Sequence, residues 1–291
     1  VSARDSERRL GWLLSAPAAA ALLLVTAYPI LYAGWLSLFR YDLRFPAERS
    51  FVGLANYASI LGSEVWWRAL GNTLIITGGS VAVEFVLGLA LALFLHHTLV
   101  ARRAVRATLL VPYAIITVVA ALAWKFAFDP VTGFVNGLLG LDTAWLTQRW
   151  SAFCVIILTE IWKTTPFMTL LLLAGLTLVP AEVLEAARVD GAGPWRRLSG
   201  ITLPLMKSTL LVALLFRSLD AFRIFDTVYV QTRGAQHTGT VSILAYDTLI
   251  TRLNLGLGSA VAVLIFLCVV IIALLMVRGF GVPLSARRGR S

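Results

Sequence analysis

Six long apolar runs divide the chain, and each is long enough to cross a lipid bilayer as a helix. They are Gly11–Phe39, Leu70–Leu95, Thr108–Phe128, Phe153–Leu178, Leu205–Tyr229 and Leu257–Val277. A helical span needs about 20 apolar residues, each adding about 1.5 Å. Hydrophobic residues make up 59% of the 291-residue sequence and charged residues only 14%. That composition is too apolar for a single soluble core. The sequence therefore predicts an all-α, polytopic membrane protein with about six transmembrane helices, organised as one membrane domain over residues 1–291. The first run follows Arg4, Arg8 and Arg9. It is longer than the roughly 7–15 residues of a secretory signal core, and so reads as a retained span.

An even number of spans puts both termini on one side. That side collects thirteen arginines: Arg4, Arg8, Arg9, Arg102, Arg103, Arg106, Arg188, Arg196, Arg197, Arg278, Arg287, Arg288 and Arg290. The other side holds seven: Arg40, Arg44, Arg49, Arg68, Arg149, Arg233 and Arg252. The positive-inside rule then predicts cytoplasmic termini. The formal net charge of +10 lies at the ends of apolar runs and not along one exposed face, which argues against a nucleic-acid partner. Trp12, Trp35, Trp66 and Trp67 fall near span ends and read as interfacial anchors. Cys154 and Cys268 lie at different depths, so they are expected to be unbridged and packed among apolar side chains.

Catalytic chemistry finds no support. His96, His97 and His237 lack the spacing of a metal site, and no nucleophile–base–acid set is present. A phosphate-cradling loop needs glycine directly before its lysine. The three lysines, Lys125, Lys163 and Lys207, none of them after a glycine, exclude that motif.

Between the fourth and fifth runs the sequence turns polar. The segment from about 179 to 204 contains EAARVDGAGPWRRLSGITLP (Glu185–Pro204). Pro180 suits the first turn of a helix, Gly191 and Gly193-Pro194 break it, and Pro204 precedes the fifth span. Val179, Val183, Ala186 and Ala187 form an apolar stripe, with Glu182, Glu185 and Arg188 off it. Such an arm fits a groove on a partner or a membrane surface.

Six charges fall inside the predicted spans: Glu84, Glu160, Lys163, Arg217, Asp220 and Arg223. Each costs about 2.5–3.5 kcal/mol at a helix centre, so each is expected to have a partner or water. Counting rise per residue puts Glu160 and Lys163 about 10 and 15 Å from the outer end of the fourth span, and Arg217 and Asp220 about 12 and 8 Å from the same face. An acid and a base on each helix thus lie at similar depths, and Glu160 is expected near Arg217 and Lys163 near Asp220. This cluster, with the ring of Trp162, either lines a path for a hydroxyl-rich solute or ties helices together. Asp226 is expected at the outer interface.

The residues Glu185-Ala186-Ala187, Asp190-Gly191, Ile201 and Leu203-Pro204, at their spacing, resemble the EAA loop of permeases of binding-protein-dependent ABC importers. The resemblance runs along nearly the whole chain. FVGLANY (Phe51–Tyr57), Asn72-Thr73-Leu74, Pro112, Trp124, Phe128, Gly133, Asn136 and FDTVYVQTRG (Phe225–Gly234) are similar to the carbohydrate branch. It implies the type I importer permease fold in a prokaryotic cell membrane. The loop would be a coupling helix that docks on a cytoplasmic ATPase subunit, and the partner ATPase would bind ATP and Mg. The implied partners are a second, related permease, two ATPase subunits, an extracytoplasmic sugar-binding protein and membrane lipid. The implied cargo is a sugar of the disaccharide class, with trehalose the one suggested. The competing reading is a secondary transporter driven by an ion gradient. Such folds often carry internal repeats, and the charged fourth and fifth spans have no counterpart in the first three.

Overall fold

A computed structural model describes residues 3–97 and 102–281. In chain order the helices are α1 (Ala3–Leu36), α2 (Ala55–Leu61), α3 (Glu64–His97), α4 (Arg102–Ala114), α5 (Thr117–Ala127), α6 (Phe134–Leu139) and α7 (Arg149–Leu176). They continue as α8 (Ala181–Val189), α9 (Pro194–Arg197), α10 (Leu203–Leu205), α11 (Lys207–Phe222), α12 (Asp226–Gln231), α13 (Val241–Tyr246) and α14 (Leu255–Phe280). One hairpin, β1 (Phe39–Arg40) with β2 (Ser50–Phe51), interrupts them.

Among the described residues four helices are long and apolar enough to cross a membrane alone, and the number reaches six if each of two bent pairs is one span. The third apolar run is one such pair: α4 and α5 meet at 91°. Pro112 lacks an amide donor in the last turn of α4, and Ile116 is extended. The fifth run is reached through a bend of 75° at Met206, just after Pro204. It then breaks again between α11 and α12. The arginine clusters around Arg4, Arg102 and Arg287 on which the orientation argument leans lie outside the residues whose side chains are described.

The chain divides into two compact units, Val1–Trp66 with Leu244–Leu267, and Trp67–Ile243 with Cys268–Ser291. In the first unit, FVGLANY fastens the hairpin. Asn56 donates to the carbonyls of Ser37 (2.7 Å) and Phe39 (2.9 Å), and the Tyr57 and Ser37 hydroxyls meet at 2.6 Å. The Arg49 guanidinium lies over Trp35, Phe39 and Tyr41 at 4.5–5.0 Å. Asp42 pairs with Arg44, whose side-chain hydrogen bond holds the Asp42 carboxyl down at about 2. Gly256 passes so close to the Phe39 carbonyl that a Cβ would collide with it.

The second unit has its main core where α3, α7 and α11 converge, built from Ala92, Leu95, Met168, Leu172, Leu176, Met206, Leu210 and Ala213. Glycines permit the approach. A Cβ on Gly88 would lie 2.8 Å from Met168 Cγ, and one on Gly175 would lie 2.7 Å from Thr209 Cγ2. Trp66 is 2% exposed, so it packs inside and is not an interfacial anchor. Trp12, Trp35 and Trp67 are exposed. Cys154 is exposed on α7, contrary to the packing expectation, and Cys268 is half-buried; both are free thiols.

Candidate functional site

The polar arm is a folded element. Pro180, in an extended conformation, leads into α8. At the other end Ala192 N–H bonds the Ala187 carbonyl (2.9 Å) and Gly191 N–H bonds the Arg188 carbonyl (3.0 Å). This double closure is a Schellman cap, which needs a left-handed residue at the position Gly191 fills. Gly191 has φ +77°. Gly193 and Pro194 then start α9, with proline at its favoured first position. Five residues of π-helix, Leu198–Thr202, lead into α10.

Both roots of the arm sit in the same apolar core. Val179 and Leu203 pack against the cluster that contains Leu176 and Met206. The arm is thus anchored in that core at both ends. Glu182, Glu185, Ala186, Asp190, Gly191 and Pro204 face outward, and Ile201 and Leu203 are half-buried. Ala187 is buried and Leu184 half-buried, so the apolar stripe expected to be free is split. Ala187 serves packing within the chain, while Val189 (88% exposed) and Trp195 (77% exposed) present apolar surface outward.

The second feature lies part-way along α7, among apolar helices long enough to span a membrane. Glu160 is eleven residues into α7, about 16 Å from its start. Its carboxylate accepts from Arg217 Nη2 (3.0 Å) and from the Thr227 hydroxyl (2.6 Å). Arg217 also holds Glu84 with two bonds, Nε at 2.5 Å and Nη2 at 2.9 Å. This is the two-pronged geometry that makes arginine–carboxylate pairs strong. Arg217, Glu84 and Glu160 are 1%, 0% and 6% exposed. The structure thus joins Glu160 to Arg217, as their depths predict. It adds Glu84, which sequence reasoning had marked as needing a partner without finding one.

The second expected pair, Lys163 with Asp220, does not form. Asp220 accepts from Arg217 Nη1 at 2.8 Å, three residues back on its own helix. Lys163 instead places its ammonium 5.5 Å from the centre of the Tyr113 ring. Both still line one cavity of about 440 Å³, with Glu160, Arg223, Asp226, Thr227, Tyr113 and Phe225. Asp226, expected at the outer interface, also faces this cavity. Arg217 stands behind the wall. Trp162 does not reach the cavity; it lines a separate apolar groove with Trp124, Leu87 and Pro166. Ammonium, guanidinium, carboxylate and hydroxyl groups converge on one space beside two aromatic rings, which suits a neutral, hydroxyl-rich solute.

A third polar network fixes the segment after α12. Asn72 donates to the carbonyls of His237 (2.7 Å) and Gly239 (2.8 Å) and accepts from Arg149 (2.9 Å). Thr73 accepts from Val241 N–H (3.1 Å).

Residues 84–280 match the family described as binding-protein-dependent transport system inner membrane component. The chain is 55% identical over 278 residues to the trehalose transport system permease protein SugA of Mycobacterium tuberculosis, covering 96% of this chain and 91% of that protein. It is 39% identical over 272 residues to the trehalose/maltose transport system permease protein MalF of Thermococcus litoralis, covering 90% of each. Among solved structures, a chain of a bacterial ABC transporter that imports the acidic polysaccharide alginate superposes with a TM-score of 0.81 at 23% identity, over 98% of this chain and all of that one. That likeness shows the fold.

Proposed function

The chain belongs to the family of inner membrane components of binding-protein-dependent transport systems, and from that premise we propose that it is the sugar-translocating subunit of an ATP-driven importer with trehalose as cargo. The chief support is the 55% identity, sustained along 96% of the chain, to a trehalose transport permease. The cavity walled by Lys163, Asp220, Arg223 and Asp226 supplies donors and acceptors for sugar hydroxyls. In this reading a second, related permease completes the pathway, and a binding protein delivers the sugar from outside. Two ATPase subunits bind ATP and Mg. The arm from Glu185 to Pro204 lies on the cytoplasmic side, as do both termini, and carries ATPase closure into the core that roots it. Glu185, Ala186, Asp190 and Gly191 are its contact edge. Ala187, Ile201, Leu203 and Pro204 hold its shape.

The test is uptake of labelled trehalose by the complete system, against a panel of other disaccharides and monosaccharides. Arg223→Gln and Asp226→Asn each remove one charge-assisted hydrogen bond, so KM for the cargo should rise about 10-fold or more. A system that takes up trehalose no better than an unrelated monosaccharide, or whose KM is indifferent to both changes, refutes the assignment.

A further inference from the structure

At the end of the bundle that carries the arm, a cavity of about 270 Å³ opens between α8, α9 and α3. Leu93, Leu184 and Leu198 give it apolar walls, and Arg188 and Arg197 line it together with Trp195. Among the described residues neither guanidinium has an ion-pair partner or donates a side-chain hydrogen bond. Arg188 is exposed and Arg197 half-buried, so both guanidinium groups are open to a ligand, and their forks match phosphate oxygens.

The level of the pocket and its surroundings say which anion. Leu93 lies four residues before the end of α3, about 6 Å from it, so the pocket sits where the bilayer meets water. Trp195, 77% exposed, is the residue type enriched at that level. Two to six residues deeper on the same helix, about half a turn to two turns, Leu91, Ala90 and Leu87 form a wall of an apolar groove of about 970 Å³. A free phosphate has no use for such a groove, whereas an acyl chain fills it. We propose that Arg188 and Arg197 bind the phosphate of an anionic phospholipid, with an acyl chain in the groove beside α3. Arg188 precedes Gly191 and Arg197 follows it, so one headgroup would bridge the two halves of the arm and brace it against the membrane. Basic pockets beside transmembrane helices recognise anionic headgroups in this way.

The experiment is native mass spectrometry of the intact, delipidated transporter titrated with phosphatidylglycerol or phosphatidylcholine. Phosphatidylglycerol should bind the wild type preferentially. Each of Arg188→Gln and Arg197→Gln should weaken its affinity about 5-fold, and the double change about 25-fold. Ala90→Phe, which narrows the groove and leaves both charges in place, should weaken phosphatidylglycerol as well. Equal affinity for the two lipids, or an unchanged affinity in the double variant, overturns the proposal. Displacement of the lipid by millimolar inorganic phosphate, with Ala90→Phe silent, would assign a free-anion site and overturn it too.

Discussion

Replacing Arg217 with methionine tests whether the buried fork holds α3, α7 and α11 in register. Arg217 makes four bonds, two to Glu84 and one each to Glu160 and Asp220. The Asp220 side chain is 69% exposed, so the buried set is one cation and two carboxylates, a net charge of −1. Arg217→Met raises that to −2 in a site closed to water. Glu84 then loses both of its Arg217 donors, while Glu160 keeps Thr227. Removing one partner of a buried ion pair costs about 3–5 kcal/mol. Glu84→Gln works the other way: the buried set becomes neutral, but the carboxamide keeps one acceptor oxygen for the two donors of Arg217, so one bond is lost and the other loses its charge assistance, about 1–3 kcal/mol. In the double variant one of the two stranded carboxylates is gone, so it should be more stable than Arg217→Met alone.

The assay is reversible unfolding of the purified transporter by denaturing detergent, with Arg217→Met, Glu84→Gln and their combination compared under identical lipid. An Arg217→Met cost below about 1 kcal/mol, or a Glu84→Gln cost equal to it, would refute the fork as the organising contact. Exchanging Arg217 with Glu160 would set a carboxylate at 217 against Glu84, so that exchange does not isolate the Glu160–Arg217 pair.

Gly191→Pro forces φ to about −65° where the Schellman cap needs +77°, and Glu185→Lys reverses charge on the exposed edge of the arm. Both variants should remain in the membrane and lose uptake, and unchanged uptake in both would remove the coupling role. Gly88→Val drives a side chain onto Met168 and the Thr169 backbone and should cost about 1–3 kcal/mol by overpacking. Met168→Ala should recover part of that loss in unfolding measurements, and no recovery would mean that the α3–α7 approach is not the cause. Asn72→Ala orphans the carbonyls of His237 and Gly239, a loss of about 1–3 kcal/mol. Faster hydrogen exchange confined to residues 232–241 is the expected signature, and a uniform change along the chain would contradict it.

The spans and the arm were legible because length and chain-breaking residues mark them directly: apolar runs of 20 or more, Gly191, Gly193-Pro194 and Pro204. The pairing of Glu160 with Arg217 followed from depth alone. The expected Lys163–Asp220 pair failed because the same count leaves those two about 7 Å apart in depth and ignores direction and local competition. Arg217, three residues before Asp220, captures its carboxylate first. Direction also explains Trp162. Two residues on an α-helix turn by about 200°, so Trp162 points away from the face that carries Glu160, and a helical projection would have excluded it from the cavity. Glu84 had no visible mate because its partner sits 133 positions away. The bend between α4 and α5 had a marker in Pro112. The break after Phe222 had none, since no glycine or proline occurs from Leu205 to Arg233.

That unmarked break and the charged cavity explain one another. In a continuous helix Asp220 and Asp226 would stand about 120° apart around the axis, too far to share one space with Lys163. Ending α11 at Phe222 frees Arg223 to Phe225 from helical geometry, and Asp220, Arg223 and Asp226 then converge. The break lies about 24 Å along the helix from Lys207, within the bilayer. Non-helical backbone at that depth survives only where protein buries it or water reaches it. Here the Arg223 and Ile224 amides bond back to the carbonyls of Asp220 and Ala221 at 3.1 Å, Ile224 is buried, and Arg223 opens onto the cavity. The irregular segment is therefore tolerated because a polar cavity adjoins it, and that cavity takes its charge from Asp220, Arg223 and Asp226, which the break brings together. Neither feature survives the loss of the other, so a change that restores helix through Arg223–Phe225 would close the cavity without touching a single group that lines it.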